Sequence, residues 1–238
     1  MNGFPGLRYL VCLLLVPALY GSAYAEVFVH DMVVLTREEV LIKVETKSGY
    51  FSKGGQTVEF SINGKSAGRV LSGGDGIGYK IFRSGRPGMY TVSARYDKDT
   101  DTGNVLVLKK GTGIVFIDIE GSLLAGPFAK NPITSSRDVI KKIIKKYSVV
   151  YLHTGTIGVR EVKEWLRKNR FPAAPVVAWQ MGDVFAALYN KGLRMKAVVG
   201  SQAVIDSANS YNPAVFVFDE QDDAKNLKTW QEIEKKLR

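Results

Sequence analysis

Cysteine is all but missing from this 238-residue chain: the single one, Cys12, lies in an apolar run near the start. Beyond that run no disulfide and no thiol chemistry is possible, so the fold must be held by its apolar cores. Histidine is nearly as scarce, with His30 and His153 alone. His30 beside Asp31 reads as a surface pair at a strand edge, and His153 as a packed strand-end residue. Long apolar runs are missing too. The segment Leu10 to Leu19 is too short for a comfortable membrane span, and nothing like a stop-transfer segment follows it. Aromatic and basic residues are not interleaved as a nucleic-acid surface requires, so no nucleic-acid partner is expected.

What the first residues do offer is a leader. Arg8 precedes the apolar stretch, and Ala23-Tyr24-Ala25 supplies a small-x-small cleavage site. Residues 1–25 are expected to be a cleaved signal peptide, which implies a periplasmic or secreted protein. Lys and Arg outnumber Asp and Glu by 33 to 23, a formal charge of +10. The basic pairs Lys141-Lys142, Lys145-Lys146 and Lys235-Lys236 lie on helical patterns where a solvated face is the default. The surplus favours anionic ligands or an anionic membrane surface.

From Val27 to Lys109 helical periodicity is absent. Short strand-like runs at Val33–Leu35, Val40–Val44, Thr57–Ile62, Tyr79–Phe82, Tyr90–Ala94 and Val105–Leu108 alternate with Gly- and Asn-rich turns. Even spacing of this kind predicts an all-β sandwich over residues 26–109. The segments Gly76–Phe82 and Arg86-Pro87-Gly88-Met89-Tyr90-Thr91-Val92 resemble bacterial immunoglobulin-like domains, which implies a spacer or docking module. Asp97-Lys98-Asp99-Thr100-Asp101-Thr102-Gly103 alternates acids but lacks the glycine and glutamate of a calcium loop, and reads as a charged hairpin loop. Residues 110–113 read as a linker.

After Ile114 strands alternate with helices, which predicts a doubly wound, mostly parallel α/β domain over residues 114–238. Helices are expected at Arg137–Lys146, Val159–Asn169, Gly182–Gly192 and Asp223–Leu237. Strands are expected at Ser148–His153, Val176–Trp179, Met195–Gly200 and Ala214–Asp219. The first strand, Ile114-Val115-Phe116-Ile117, runs into Asp118-Ile119-Glu120-Gly121-Ser122. In extended chain, residues two apart point the same way, so Asp118 and Glu120 are expected to face one volume. Gly121 would let the chain turn and Ser122 would add a hydroxyl. Two crowded carboxylates call for a hard cation such as Mg²⁺. A buried strand running into an acidic surface turn is the plainer reading.

This pattern resembles the first motif of the haloacid-dehalogenase-like superfamily of phosphohydrolases. The resemblance implies that Asp118 is a nucleophile and Glu120 the general acid/base. Thr154, after the next strand, matches the second motif, although a Thr there also serves as a helix N-cap. The resemblance implies catalytic Asp118, Glu120 and Thr154, Mg²⁺ ligands Asp118, Glu120 and Asp206, and phosphate contacts from Gly121, Ser122, Thr154 and Gly155. Two departures stand out: no Lys fills the third motif around Trp179–Asp183, and Ser201 replaces the first acid of the fourth. The domain is similar to the lipin and phosphatidylinositol-transfer-protein type, without room for a large cap. It is expected to be a Mg²⁺-dependent phosphatase acting through an aspartyl-phosphate. The alternative is a degenerate domain that binds a phosphorylated small molecule or phospholipid without turnover. An envelope or membrane-surface partner is expected for the sandwich.

Overall fold

The computed structural model describes residues 25–49, 51–124, 131–155, 157–218 and 223–237. The leader-like segment, apart from Ala25, and Asp219 lie outside them. Nine strands come first: β1 (Ala25–Val29), β2 (Met32–Leu35), β3 (Glu39–Ser48), β4 (Phe51–Ser52), β5 (Thr57–Ile62), β6 (Lys65–Leu71), β7 (Ile77–Arg83), β8 (Gly88–Tyr96) and β9 (Asp99–Leu108). They form two sheets. One is centred on β3, which pairs antiparallel with β1, β4 and β7. The other runs β2-β9-β8-β5-β6, antiparallel except for the β2–β9 pair. Between them lies an apolar core that includes Val27, Val29, Ile42, Val44, Phe60, Phe82, Val92 and Val105. This is the β-sandwich that the alternating pattern foretold.

Three strands escaped the sequence reading, each for a physical reason. β6 is exposed along most of its length, so it carries no apolar alternation. β4 has only two residues. β1 holds its place by side-chain bonds to its backbone as well as by burial, as described below. The acid-rich segment is also corrected. Only Asp97 and Lys98 make the turn, while Asp99 and Asp101 belong to β9. Their carboxylates accept from the backbone N–H groups of Val27 (2.7 Å) and Val29 (2.8 Å).

The second half comprises β10 (Gly113–Asp118), α1 (Ile119–Ser122), α2 (Ser136–Ile143), β11 (Ser148–His153), α3 (Val159–Lys168), β12 (Val176–Ala178), α4 (Asp183–Asn190), β13 (Arg194–Gly200), α5 (Gln202–Ala208), β14 (Ala214–Val217) and α6 (Asp223–Leu237). All five strands are parallel, in the order β12-β11-β10-β13-β14. One face of the sheet packs on α2, α3 and α6 through Val139, Ile140, Val162, Leu166 and Trp230. The other packs on α4 and α5 through Phe185, Leu188, Val204 and Ile205. β10 is buried on both faces because Val115 and Ile117 serve the first core and Ile114 and Phe116 the second. The chain winds outward from β10 to β12, then restarts beside β10 at β13. The gap between β10 and β13 at their carboxyl ends is thus the topological switch point, where open α/β sheets place their ligands.

The two halves are packed together. Val33, Leu106 and Leu108 of the sandwich join the core under α4 and α5. Asp31, with a fully buried side chain, accepts from Lys163 Nζ at 2.8 Å, from Asn104 N at 3.0 Å and from Val176 N at 2.8 Å. The expected surface pair His30-Asp31 is therefore split: His30, just past β1, bonds Glu45 on β3, while Asp31 is an interdomain anchor.

Candidate site at the switch point

Asp118 ends β10, paired with Leu152 of β11 and following Ile117, which pairs with Val199 of β13. The strand stops there because Asp118 caps α1: its Oδ1 accepts from Gly121 N at 3.0 Å. Its Oδ2 accepts from both the backbone N (3.1 Å) and the Oγ (2.9 Å) of Ser201, the residue before α5. The residue is wholly buried. Burial pushes its carboxyl above the ordinary range, against the opposing pull of the Gly121 and Ser201 donors.

This packing explains two glycines. A Cβ on Gly121 would lie 2.2 Å from Asp118 Oδ2, and one on Gly200 would lie 2.4 Å from Asp118 Cβ. Gly121, expected to let the chain turn, is needed because the carboxylate of Asp118 occupies the space of a side chain.

Glu120 lies in the helical turn of α1, not on an extended strand, so the two-apart geometry expected for it does not hold. Its carboxylate instead reaches the end of β11. Oε1 lies 2.6 Å from His153 Nδ1, and Oε2 accepts from Thr154 N at 3.1 Å. Both partners of the pair are nearly enclosed, with side-chain exposures of 9% for Glu120 and 11% for His153. Burial acts to raise the Glu120 carboxyl, but the His153 bond and charge with the Thr154 N–H outweigh it and hold the group below its ordinary range.

His153 is thus the residue the sequence reading undervalued. It immediately precedes Thr154 on the strand next to β10, and that adjacency was the available signal. Thr154 meets Glu120 through its backbone N–H; its hydroxyl, the group the resemblance singled out, makes no hydrogen bond among the described residues. Gly155 follows in a left-handed conformation at φ 100°. Ser122 is turned away: buried, it donates its hydroxyl to the Asp118 carbonyl at 2.5 Å. Gly121 likewise commits its N–H inward. Asp206 is exposed on α5 and accepts from Gln202 Nε2 at 2.7 Å.

The donor set does not fit Mg²⁺. That ion takes near-octahedral oxygen ligands from carboxylates and water, yet both oxygens of Asp118 already accept protein hydrogen bonds. Glu120 is engaged by His153 and Thr154, and Asp206 by Gln202. Among the described residues no group of three His, Cys, Asp or Glu side chains could hold a metal ion. A hydroxyl at Ser201 explains this locally, because it donates directly to the Asp118 carboxylate.

The sequence matches no protein-family model and no curated protein. Among solved structures, the D0-D1 domain of intimin is 19% identical, aligned over 37% of this chain and 50% of that one, with a TM-score of 0.32. An IG27 protein domain is 15% identical over 36% and 99%, at 0.30. Invasin, a bacterial integrin-binding protein, is 14% identical over 44% and 24%, also at 0.30. This chain therefore spans half of the intimin fragment and a quarter of the invasin structure. Likenesses this slight transfer no activity, and the sandwich rests on its own strand pairing.

Proposed function

We propose that the α/β domain is haloacid-dehalogenase-like, has kept the switch-point crevice and has lost metal-dependent turnover. It holds a phosphate-bearing ligand, a phosphorylated small molecule or a phospholipid, without hydrolysing it. One observation carries this reading: Ser201 gives two hydrogen bonds to Oδ2 of Asp118, the carboxylate that the resemblance makes the nucleophile. A buried carboxylate whose two oxygens already accept three protein hydrogen bonds is poorly placed to act as a nucleophile. The strand order and the position of Asp118 at the switch point support the family.

Tolerance of an anion follows from how the two acids are held. Burial raises the Asp118 carboxyl, and Glu120 is hydrogen-bonded by His153 and the Thr154 N–H. The free Thr154 hydroxyl and the Gly155 backbone supply contacts for phosphate oxygens. A periplasmic or secreted location, as expected from a leader at residues 1–25, would let an immunoglobulin-like sandwich dock on an envelope or membrane-surface partner.

Retention of both Asp118 and Glu120 favours a second reading, a Mg²⁺-dependent phosphohydrolase. The two are separated by measuring aryl-phosphate and phosphatidic-acid hydrolysis with and without Mg²⁺, beside Asp118→Asn. Binding to phosphatidic-acid vesicles is followed in parallel with Thr154→Val. The expected result is no Mg²⁺-dependent rate above that of the variant, with vesicle binding weakened by Thr154→Val. Hydrolysis that needs Mg²⁺ and disappears in Asp118→Asn would establish the phosphohydrolase instead.

A further inference from the structure

At the opposite end of the parallel sheet, a groove of about 600 Å³ runs under the amino ends of the strands. Its charged side chains are Lys146, Arg194 and Lys196, and no described Asp or Glu lines it. All three cations are exposed, and none forms an ion pair among the described residues. A concave surface of one sign focuses its field outward and concentrates counter-ions.

The groove has been shaped as well as charged. Ile114 pairs with Met195 but Val115 pairs with Ala197, so β13 carries one extra residue, Lys196, opposite β10. Bulges are rare in parallel pairs, and their usual effect is to re-aim a side chain. Here Lys196 Nζ is brought 5.8 Å from the centroid of the Tyr147 ring, at the groove wall. Gly113 leaves the room, since a Cβ there would stand 3.3 Å from Lys196 Cβ.

We propose that this groove binds a linear polyanion bearing a phosphate on each repeat. It lies across the starts of β11, β10, β13 and β14, about 14 Å between the outer strands at a spacing near 4.8 Å. That length suits several charges along a chain better than one compact phosphate. The lack of a large exposed apolar side chain among its lining residues disfavours insertion into a bilayer. The site stands independently of the ligand proposed for the switch-point crevice.

The test is the binding of fluorescently labelled short-chain inorganic polyphosphate to the full chain, titrated over salt. Three contacts to a flexible polyanion predict a log–log salt slope of about −2. Arg194→Gln and Lys196→Gln should each weaken binding roughly fivefold to tenfold at low salt and make the slope shallower by about 0.7. Lys98→Gln, on the distant β8–β9 turn, should change neither. Both groove changes are at exposed positions, and unchanged melting curves check the fold. Equal affinity in all three variants, equal losses that include Lys98→Gln, or binding to phosphatidylglycerol vesicles but not to polyphosphate would each overturn the proposal.

Discussion

Ser201 is the residue that does most to set the surroundings of Asp118. Its hydroxyl gives the buried carboxyl of Asp118 one of three donors, and hydrogen bonds to charged groups contribute roughly 1.5–3 kcal/mol each. Ser201→Ala is expected to lower stability in urea unfolding by about that much. Ser201→Asp would set a second carboxylate against the first. Its melting temperature should fall in EDTA and recover on adding Mg²⁺ by more than any shift in wild type. An equal response of both proteins to Mg²⁺ would show that the serine is not what closes the metal site. Glu120 gives a pH test with a definite sign. Its carboxyl is held below the ordinary 4.5, so the stability it supplies is present above 4.5 and is lost as pH falls through its lowered value. The gap in unfolding free energy between wild type and Glu120→Gln should be wide at neutral pH and close in acid. Asp118 acts in the opposite sense: being raised, its contribution is present below the ordinary 3.8 and is lost as pH rises through its shifted value.

At the scale of elements, α1 is the informative one. Four residues cannot sustain a helix by propensity, since nucleation alone outweighs so few bonds. The turn exists because Asp118 caps it and because Gly121 admits the carboxylate. Gly121→Ala would force a Cβ against Asp118 Oδ2 and Ser201 N. Overpacking of this kind typically costs 1–3 kcal/mol, and a denaturation midpoint shift of that order is the expected outcome. β1 shows the same dependence on side chains. Beyond its pairing with β3, its N–H groups are met by Asp99 and Asp101, and its carbonyls by Arg160 Nη2 at Val27 and Lys163 Nζ at Val29. An edge is thereby closed without another strand.

Across the whole molecule, the sandwich and the α/β domain are joined by a shared core and by charge. Asp31 collects bonds from β9, α3 and β12, and Lys191 meets Glu38 at 2.6 Å. Removing one partner of a buried pair strands the other, at a typical cost of 3–5 kcal/mol. Calorimetry of the intact chain should show a single unfolding transition. Asp31→Ala should split it into two as the halves uncouple; two transitions already in the wild type would mean that the clasp does not couple them. The cavity of about 520 Å³ between the halves is lined by these same engaged groups, including Arg160, Lys163 and Asp99.

Local pattern in the chain was enough to locate both halves, because alternation and helical spacing are properties of neighbouring residues. The four long helices after Ile114 and the strands Ser148–His153 and Met195–Gly200 were legible to within a few residues for that reason. Asp118, Glu120 and Thr154 were legible as candidates, since acids and hydroxyls at strand ends are visible without a fold. What the residues do to one another was not. That Ser201 closes Asp118, that His153 takes Glu120, that Asp31 anchors two domains and that a bulge turns Lys196 into a basic groove are contacts between residues tens of positions apart. Such contacts depend on strand order and register, which only the packed sheet decides.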